Sequence, residues 1–539
     1  MNKKMIVTAA LSAFLCTGIA VPAEAAKTVT VTLPTFDVTL NGTVVENDNR
    51  QYPLLVYNDI TYVPMTYYDC RFLGLETTWN QKDGLGIHKS DLTGAYYDYE
   101  TAKKNSKRGI AQIATGKIKV NGKEINNATE KYPLLLYRDV TYFPLTWRFA
   151  VNEFGWKYQF DNKNGLVITS NNAHTESVIM NDVRHNEYDS FSYAVDSDYL
   201  YYEGNAGEVY RRPLNDLSND KQRVKLAQAE EDTFYWEGFY PKINLDIVGD
   251  TLYYRYHIGG ATMGGDSLYR ISAENPVPER IQTRQYDTYV DYGDMQVQIP
   301  QSIIGGISAD KIQITDKNGT REIGEERIVH SLCSNAYDRK NNVLYVLTGE
   351  WNEEFGGSDK MYMQKLDLNT DTFYPVFDEP VYNGSYNNGE IYFVQERKNE
   401  VMVEGAPQTR YHYDLYWLNQ NNSEKVLVDE LNSYSAINAS GVYYQDITEG
   451  NLLYWNPKEQ KAVELHEKHQ VTSVLNLQEY VLVCFEEIPE NPYRFMVFDT
   501  NGKQVYTSAD VIDSASISES GLLVYRLAGT TQLVKVQLQ

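Results

Sequence analysis

The chain has 539 residues, 73 of them acidic and 49 basic, for a formal net charge of −24. That balance argues against nucleic acid and anionic membranes as partners, because both repel a polyanion. The length suffices for two to four domains.

Lys3-Lys4, an apolar run over residues 5–20 and Ala23-Glu24-Ala25 read as a secretory signal peptide over residues 1–25. Phe14-Leu15 ahead of Cys16 does not fit a lipoprotein cleavage site, so release is expected, with the cell wall as a further location. No later apolar run is long enough to span a bilayer. Cys70, Cys333 and Cys484 remain, an odd and widely spaced set. They predict buried small side chains rather than a disulfide framework.

Residues 52–66, YPLLVYNDITYVPMT, return at 132–146 as YPLLLYRDVTYFPLT. Each copy predicts a β-hairpin. Asn58-Asp59 tolerates the left-handed backbone of a tight turn, and Pro64 ends the second strand. Thr66 is a candidate N-cap for a short helix through Phe72, and Gly74 suits the position just past its end. A closing strand with Leu75, Thr77 and Trp79 follows, then a turn at residues 82–84. In the second copy Asn121-Gly122 matches Asn41-Gly42, Gly155 matches Gly74, Phe160 matches Trp79 and Gly165 matches Gly84.

The order Asn-Gly, hairpin, Tyr-Val-Pro-Met-Thr, Arg71, Gly74, Trp79-Asn80 and Gly84 resembles the copper amine oxidase N-terminal-like domain, or stalk domain. The resemblance covers about residues 36–170. It implies two small α+β domains, each an antiparallel sheet wrapping one helix, of a kind borne by secreted proteins of Gram-positive bacteria. It implies no copper chemistry, since the stalk is not the catalytic part of an amine oxidase. The boundaries read as 30–91 for the first copy, 92–116 for a connector and 117–170 for the second copy. Residues 171–184 read as a polar linker.

From 185 to 539 the pattern changes to short Tyr-rich strands. Polar turns such as Gly249-Asp250, Asn341-Asn342 and Asn388-Gly389 precede Leu-Tyr-Tyr-like runs, and each run is followed by a second strand. The repeat of roughly 40–50 residues, with about four strands, is that of a β-propeller blade. Seven units are clear, with six or eight as neighbouring counts. The gap between Leu252 and Leu344 is nearly double and holds an insertion or a degenerate blade around residues 295–299 and 312–314. The unit resembles bacterial propellers of the low-density lipoprotein receptor type, which implies a binding platform. The overall expectation is a mainly β chain, two stalk domains followed by a propeller.

No catalytic constellation stands out. His466 and His469 lie three apart, where a zinc-protease helix needs four. The Gly-rich run 259–265 lacks the Lys-Ser/Thr of a phosphate loop. No metal and no cofactor are expected. Two loops combine aromatics with acids, as protein-, peptide- and sugar-binding surfaces do: 230–240, with Trp236, Glu237 and Tyr240, and 349–357, with Trp351, Glu353 and Glu354. The competing reading packs these rings between blades and leaves the acids in water. The favoured function is an exported, non-catalytic binding or scaffold protein. Its stalks serve as spacer or envelope attachment, and its propeller faces an extracellular protein, peptide or cell-wall glycan. The alternative is a propeller enzyme degrading extracellular polysaccharide, a hydrolase or lyase, with paired carboxylates such as Glu237, Glu353 or Glu354.

Overall fold

The computed structural model describes residues 27–538, apart from 186–189, 218, 261–263, 273–274, 286, 301–310, 325–327, 351–359, 404–405, 419–423, 429–434, 439–440, 446–449, 467–469 and 488–491. The chain is mainly β and divides into two compact units. One comprises residues up to Asp69, Thr77–Lys89 and Asp98–Thr169. The other takes Cys70–Glu76, Ser90–Tyr97 and Ser170–Gln539.

In the first unit both hairpins form as the sequence predicts. Asn58 and Asp59 have φ of 49° and 62°, and Arg138 and Asp139 have 51° and 63°. These paired left-handed residues make the tight turn whose twist suits antiparallel strands. Thr66 caps its helix: its Oγ1 accepts from Asp69 N at 3.1 Å and donates to Asp69 Oδ2 at 2.6 Å. Thr146 does the same for Phe149 N at the longer distance of 3.5 Å, at the head of a wide helical turn, Trp147–Glu153.

The copies interlock. Ile60–Pro64 pairs antiparallel with Val140–Pro144, Val63 opposite Phe143. Thr28–Thr32 pairs with Arg108–Ile113 across the other side. The six strands close into a barrel, filled by Val31, Leu55 and Tyr62 from the first half and by Leu135 and Tyr142 from the second. Ala111 joins them from the stretch that reads as connector, whose strand Arg108–Ile113 belongs with the second copy. Two further four-stranded sheets each take two strands from either copy. Gly84–Lys89 runs parallel to Ile118–Val120, and Gly165–Thr169 runs parallel to Val38–Leu40. Full burial of the larger aliphatic side chains, Val31, Leu55 and Leu135, stabilises the unit by about 1.5–3 kcal/mol each. Beside the barrel, Arg50 and Asp69 form a buried ion pair. Arg50 Nε also donates to Tyr52 O at 3.1 Å.

The second unit is a β-propeller. Its described strands make eight four-stranded antiparallel meanders, over residues 193–228, 243–285, 288–324, 328–375, 383–428, 435–466, 471–508 and 512–537, the last completed by Thr175–Ile179. The meander at 288–324 occupies the long gap, so that stretch is a blade and not an insertion. Its strands Met295–Ile299 and Lys311–Asp316 alternate apolar and polar residues. Thr175–Ile179 comes from the stretch that reads as linker. It pairs antiparallel with Gln532–Gln537, Ser177 opposite Val534, and so joins the beginning of the ring to its end. The sequence TESVI carries no run of apolar residues because an outermost strand buries only one side.

Neighbouring blades are bonded as well as packed. Tyr193 Oη donates to Ser514 O at 2.9 Å, and Val195 N donates to Ser516 Oγ at 3.2 Å, closing the first blade on the eighth. Tyrosines fill the blade faces in stacks, Tyr254 on Tyr269 at 4.9 Å and Tyr345 on Tyr386 at 4.5 Å. Burial pushes up the phenols of Tyr254, Tyr345 and Tyr386, that of Tyr345 to about 12. Cys70 and Cys333 are buried as expected whereas Cys484 is only half-buried, and burial likewise pushes the Cys333 thiol up.

Candidate functional site

The meander order sets the site. The first strand of each blade runs innermost, so the connections to the next blade and the turns between second and third strands fall at one end of the ring. Residues 229–242 join the first blade to the second at this end. The Gly-rich segment, between Thr251–Ile258 and Gly265–Ser272, falls there too.

Within 229–242 three rings face water while one acid, Asp232, is buried; Glu230 and Glu237 are exposed. Asp232 is 1% exposed, whereas Phe234, Tyr235 and Trp236 are 60%, 48% and 63% exposed. Asp232 organises the loop. Its Oδ1 accepts from Phe234 N at 3.0 Å and its Oδ2 from Gly259 N at 2.9 Å. Its own N–H donates to Phe239 O at 2.9 Å, which pinches the loop shut. Glu231 Oε1 accepts from Gly238 N at 2.6 Å, and Glu230 Oε1 from Tyr269 Oη at 3.1 Å. Gly238, at φ 79°, supplies the left-handed turn that returns the chain.

The foot of the loop is clamped by Arg184. Its Nη2 donates to Tyr240 O at 2.8 Å and to Pro241 O at 3.1 Å. Its Nε faces the fully buried Glu203 at 2.8 Å. Glu203 Oε1 in turn accepts from Ile243 N at 3.0 Å, which fixes the start of the second blade. Nearby, burial works against the charge on Asp182, but Arg223 and Arg212 more than offset it and hold the carboxyl below its usual range.

What emerges is a ridge of four rings in mutual contact. Tyr235 and Trp236 each approach Phe239 at 4.9 Å, and Phe234 meets Tyr235 edge-on at 5.7 Å. Trp236 therefore stands at the tip with the exposed Glu237 beside it. Tyr240 sits at the foot, its Cβ so close to Gly207 that a side chain there would come within 2.9 Å of it. Phe234, Tyr235 and Phe239 belong to the same ridge. Composition alone did not separate them from core residues, and nothing local marks Asp232 or Arg184 as anchors. Trp351, Glu353 and Glu354 lie outside the described residues, as does His469. His466 packs edge-on against Phe485 at 5.4 Å.

At the opposite end, turns of blades one, two, seven and eight border a cleft with Asp196, Asp198, Asp250 and Glu519. Asp196 is engaged in its own turn, accepting from Asp198 N at 2.7 Å, Tyr199 N at 2.6 Å and Tyr201 Oη at 2.7 Å. Among the described residues, no three of His, Cys, Asp and Glu gather as a metal site. No described helix is long and apolar enough to cross a membrane.

No family model matches the sequence, and no curated protein matches it. Among solved structures, the chain is similar to the β-propeller domain of the Trilobed protease from Pyrococcus furiosus, at 13% identity and a TM-score of 0.37, over 55% of this chain and 95% of that one. The tricorn protease matches at 11% identity and a TM-score of 0.36, over 89% of this chain and 47% of that one. The Pyrococcus horikoshii acylaminoacyl peptidase matches at 12% identity and 0.37, over 55% of this chain and 50% of that one.

Proposed function

We propose that this is an exported, non-catalytic binding protein whose propeller offers the ridge Phe234, Tyr235, Trp236 and Phe239 to an extracellular protein or peptide. The observation that carries the reading is the exposure of Phe234, Tyr235 and Trp236, with the half-buried Phe239 against them, on a loop held rigid from below by Asp232 and Arg184. Contiguous exposed rings are costly to leave in water. Trp and Tyr anchors dominate protein-binding energy, and a pre-ordered loop loses little entropy on binding. A convex ridge suits a groove on a partner. Asp232 and Glu231 accept hydrogen bonds from within the loop and Glu230 accepts one from Tyr269, which supports positioning over proton transfer for these three acids. Export rests on the basic and apolar N-terminal segment, and the duplicated body, with its stalk-domain resemblance, acts as spacer or envelope attachment.

The test compares the full-length chain with a Phe234→Ala/Trp236→Ala variant for retention of secreted proteins and of synthetic peptides. The wild type should retain a partner that the variant releases, at equal thermal midpoint. Equal retention by both removes the ridge from the reading. Turnover of an extracellular polysaccharide by the full-length chain would replace it with the hydrolase or lyase alternative.

A further inference from the structure

The duplication provides an internal comparison. Lys117 O accepts from Leu85 N at 3.0 Å just as Asp37 O accepts from Leu166 N at 2.9 Å. Asn80 Oδ1 caps the N–H groups of Lys82 and Asp83, at 3.0 and 2.7 Å, just as Asp161 Oδ1 caps those of Lys163 and Asn164, both at 2.8 Å. These paired bonds make Trp79 the structural counterpart of Phe160, and Gly116 the counterpart of Phe36. The two places differ in one respect. Over Phe160 stands the ring of Phe36, edge-on at 5.2 Å and 86°. Over Trp79 stands Gly116, where an added Cβ would meet nothing within 4 Å. Trp79 is accordingly 73% exposed against 50% for Phe160.

Trp79 and Gly116 line one cleft of about 610 Å³, a size suited to a small ligand. Its polar rim is made of amides and hydroxyls, from Asn80, Gln81, Gln112, Thr115 and Thr141. The charged liners are one Lys and one Asp, Lys117 and Asp139. We propose that this cleft binds a neutral glycan, one sugar ring lying on the Trp79 indole in the space that Phe36 fills in the other copy. A pyranose offers C–H bonds to the aromatic face and hydroxyls that pair with amide donors and acceptors in both directions. An aromatic side chain would stack on the indole but offers those rim groups no hydrogen-bond partners. This gives the attachment role proposed above a ligand class. The ridge at 230–240 takes no part in it, so a Trp236→Ala chain serves as control.

The test uses the full-length chain labelled with 5-fluorotryptophan and followed by fluorine NMR, with the Trp79 signal assigned from a Trp79→Phe variant. Tetrasaccharides of N-acetylglucosamine, β-1,4-glucose and mannose, and an aromatic tetrapeptide, are titrated separately to millimolar concentration. At least one should shift the Trp79 signal saturably and leave the Trp236 signal in place. Gly116→Phe, which copies the second half of the molecule, should weaken that binding at least about tenfold, or 1.4 kcal/mol. Gln81→Ala, on the exposed rim, should weaken it to a smaller extent. No response of Trp79 to any of the three sugars overturns the proposal. So does undiminished binding in Gly116→Phe, or a response confined to an aromatic tetrapeptide.

Discussion

Asp510 offers a quantitative test of how the second unit holds its N-terminal segment. It lies between the seventh and eighth blades, buried, and its two oxygens accept from Ala95 N at 3.1 and 2.9 Å. Tyr525 Oη donates to Oδ2 at 2.7 Å, and Tyr506 stands behind Tyr525 at 3.2 Å. Burial outweighs these hydrogen bonds and pushes the carboxyl from 3.8 up to about 6. A carboxyl raised on folding binds its proton more tightly in the native state. Its contribution is fully present below the unfolded value and is lost as pH rises through the folded one. A rise of about two units corresponds to about 3 kcal/mol, all of it lost between about pH 4 and 6 and constant above. Asp510→Asn cannot ionise and keeps an acceptor for Ala95. The free energy of opening at Ala95, variant minus wild type, should therefore rise by about 3 kcal/mol from pH 4 to pH 7. Hydrogen exchange of the Ala95 amide measures it, and the difference at each pH cancels the intrinsic exchange rate. A difference that is flat, or that falls with pH, refutes the argument that burial governs this carboxyl.

Three further outcomes follow from the first unit. Arg50→Met leaves Asp69 buried without its cation and should cost about 3–5 kcal/mol, seen as a lower thermal midpoint, with Asp69→Asn in the same chain recovering part of the loss. Tyr62 is fully buried, and its hydroxyl has no hydrogen-bond partner among the described residues. Tyr62→Phe should therefore be neutral or stabilising by about 1 kcal/mol in denaturant unfolding, and a clear loss would reveal a bonded hydroxyl. Gly165 has φ 68°, and a Cβ there would stand 2.0 Å from Asp37 O. Gly165→Ala should destabilise the unit by more than the about 1 kcal/mol that replacing a glycine gains through the unfolded chain at an unstrained site, seen as a lower unfolding midpoint.

The parts of this molecule that were legible in sequence are those fixed by neighbours along the chain. Asn58-Asp59 gave the hairpin, Thr66 the cap, and Gly74 and Gly155 the left-handed residues at φ 69° and 73°. Recurrent Tyr-rich strands gave the propeller. The parts that were hidden depend on partners far away in sequence. Val38 and Leu166 are in register across 128 positions, and no local pattern tells a strand which copy will pair with it. The blade at 288–324 was faint because MQVQI and KIQITD bury alternate residues only. At the candidate site, Trp236 and Glu237 were visible as composition. That the ring faces water and Asp232 is buried was decided by Gly259, from the next blade.

The exchange of strands in the first unit changes what the duplication means. Two copies in a row suggest beads that could be added or removed one at a time. Here half of a barrel comes from each copy, and so does half of each four-stranded sheet beside it. The countable part is the pair. A gene that lost one copy would encode an open barrel with bare edges, and its simplest repair would be a second molecule supplying the missing half. Copy number in such a chain is then constrained to change by twos, or else to be made up by assembly.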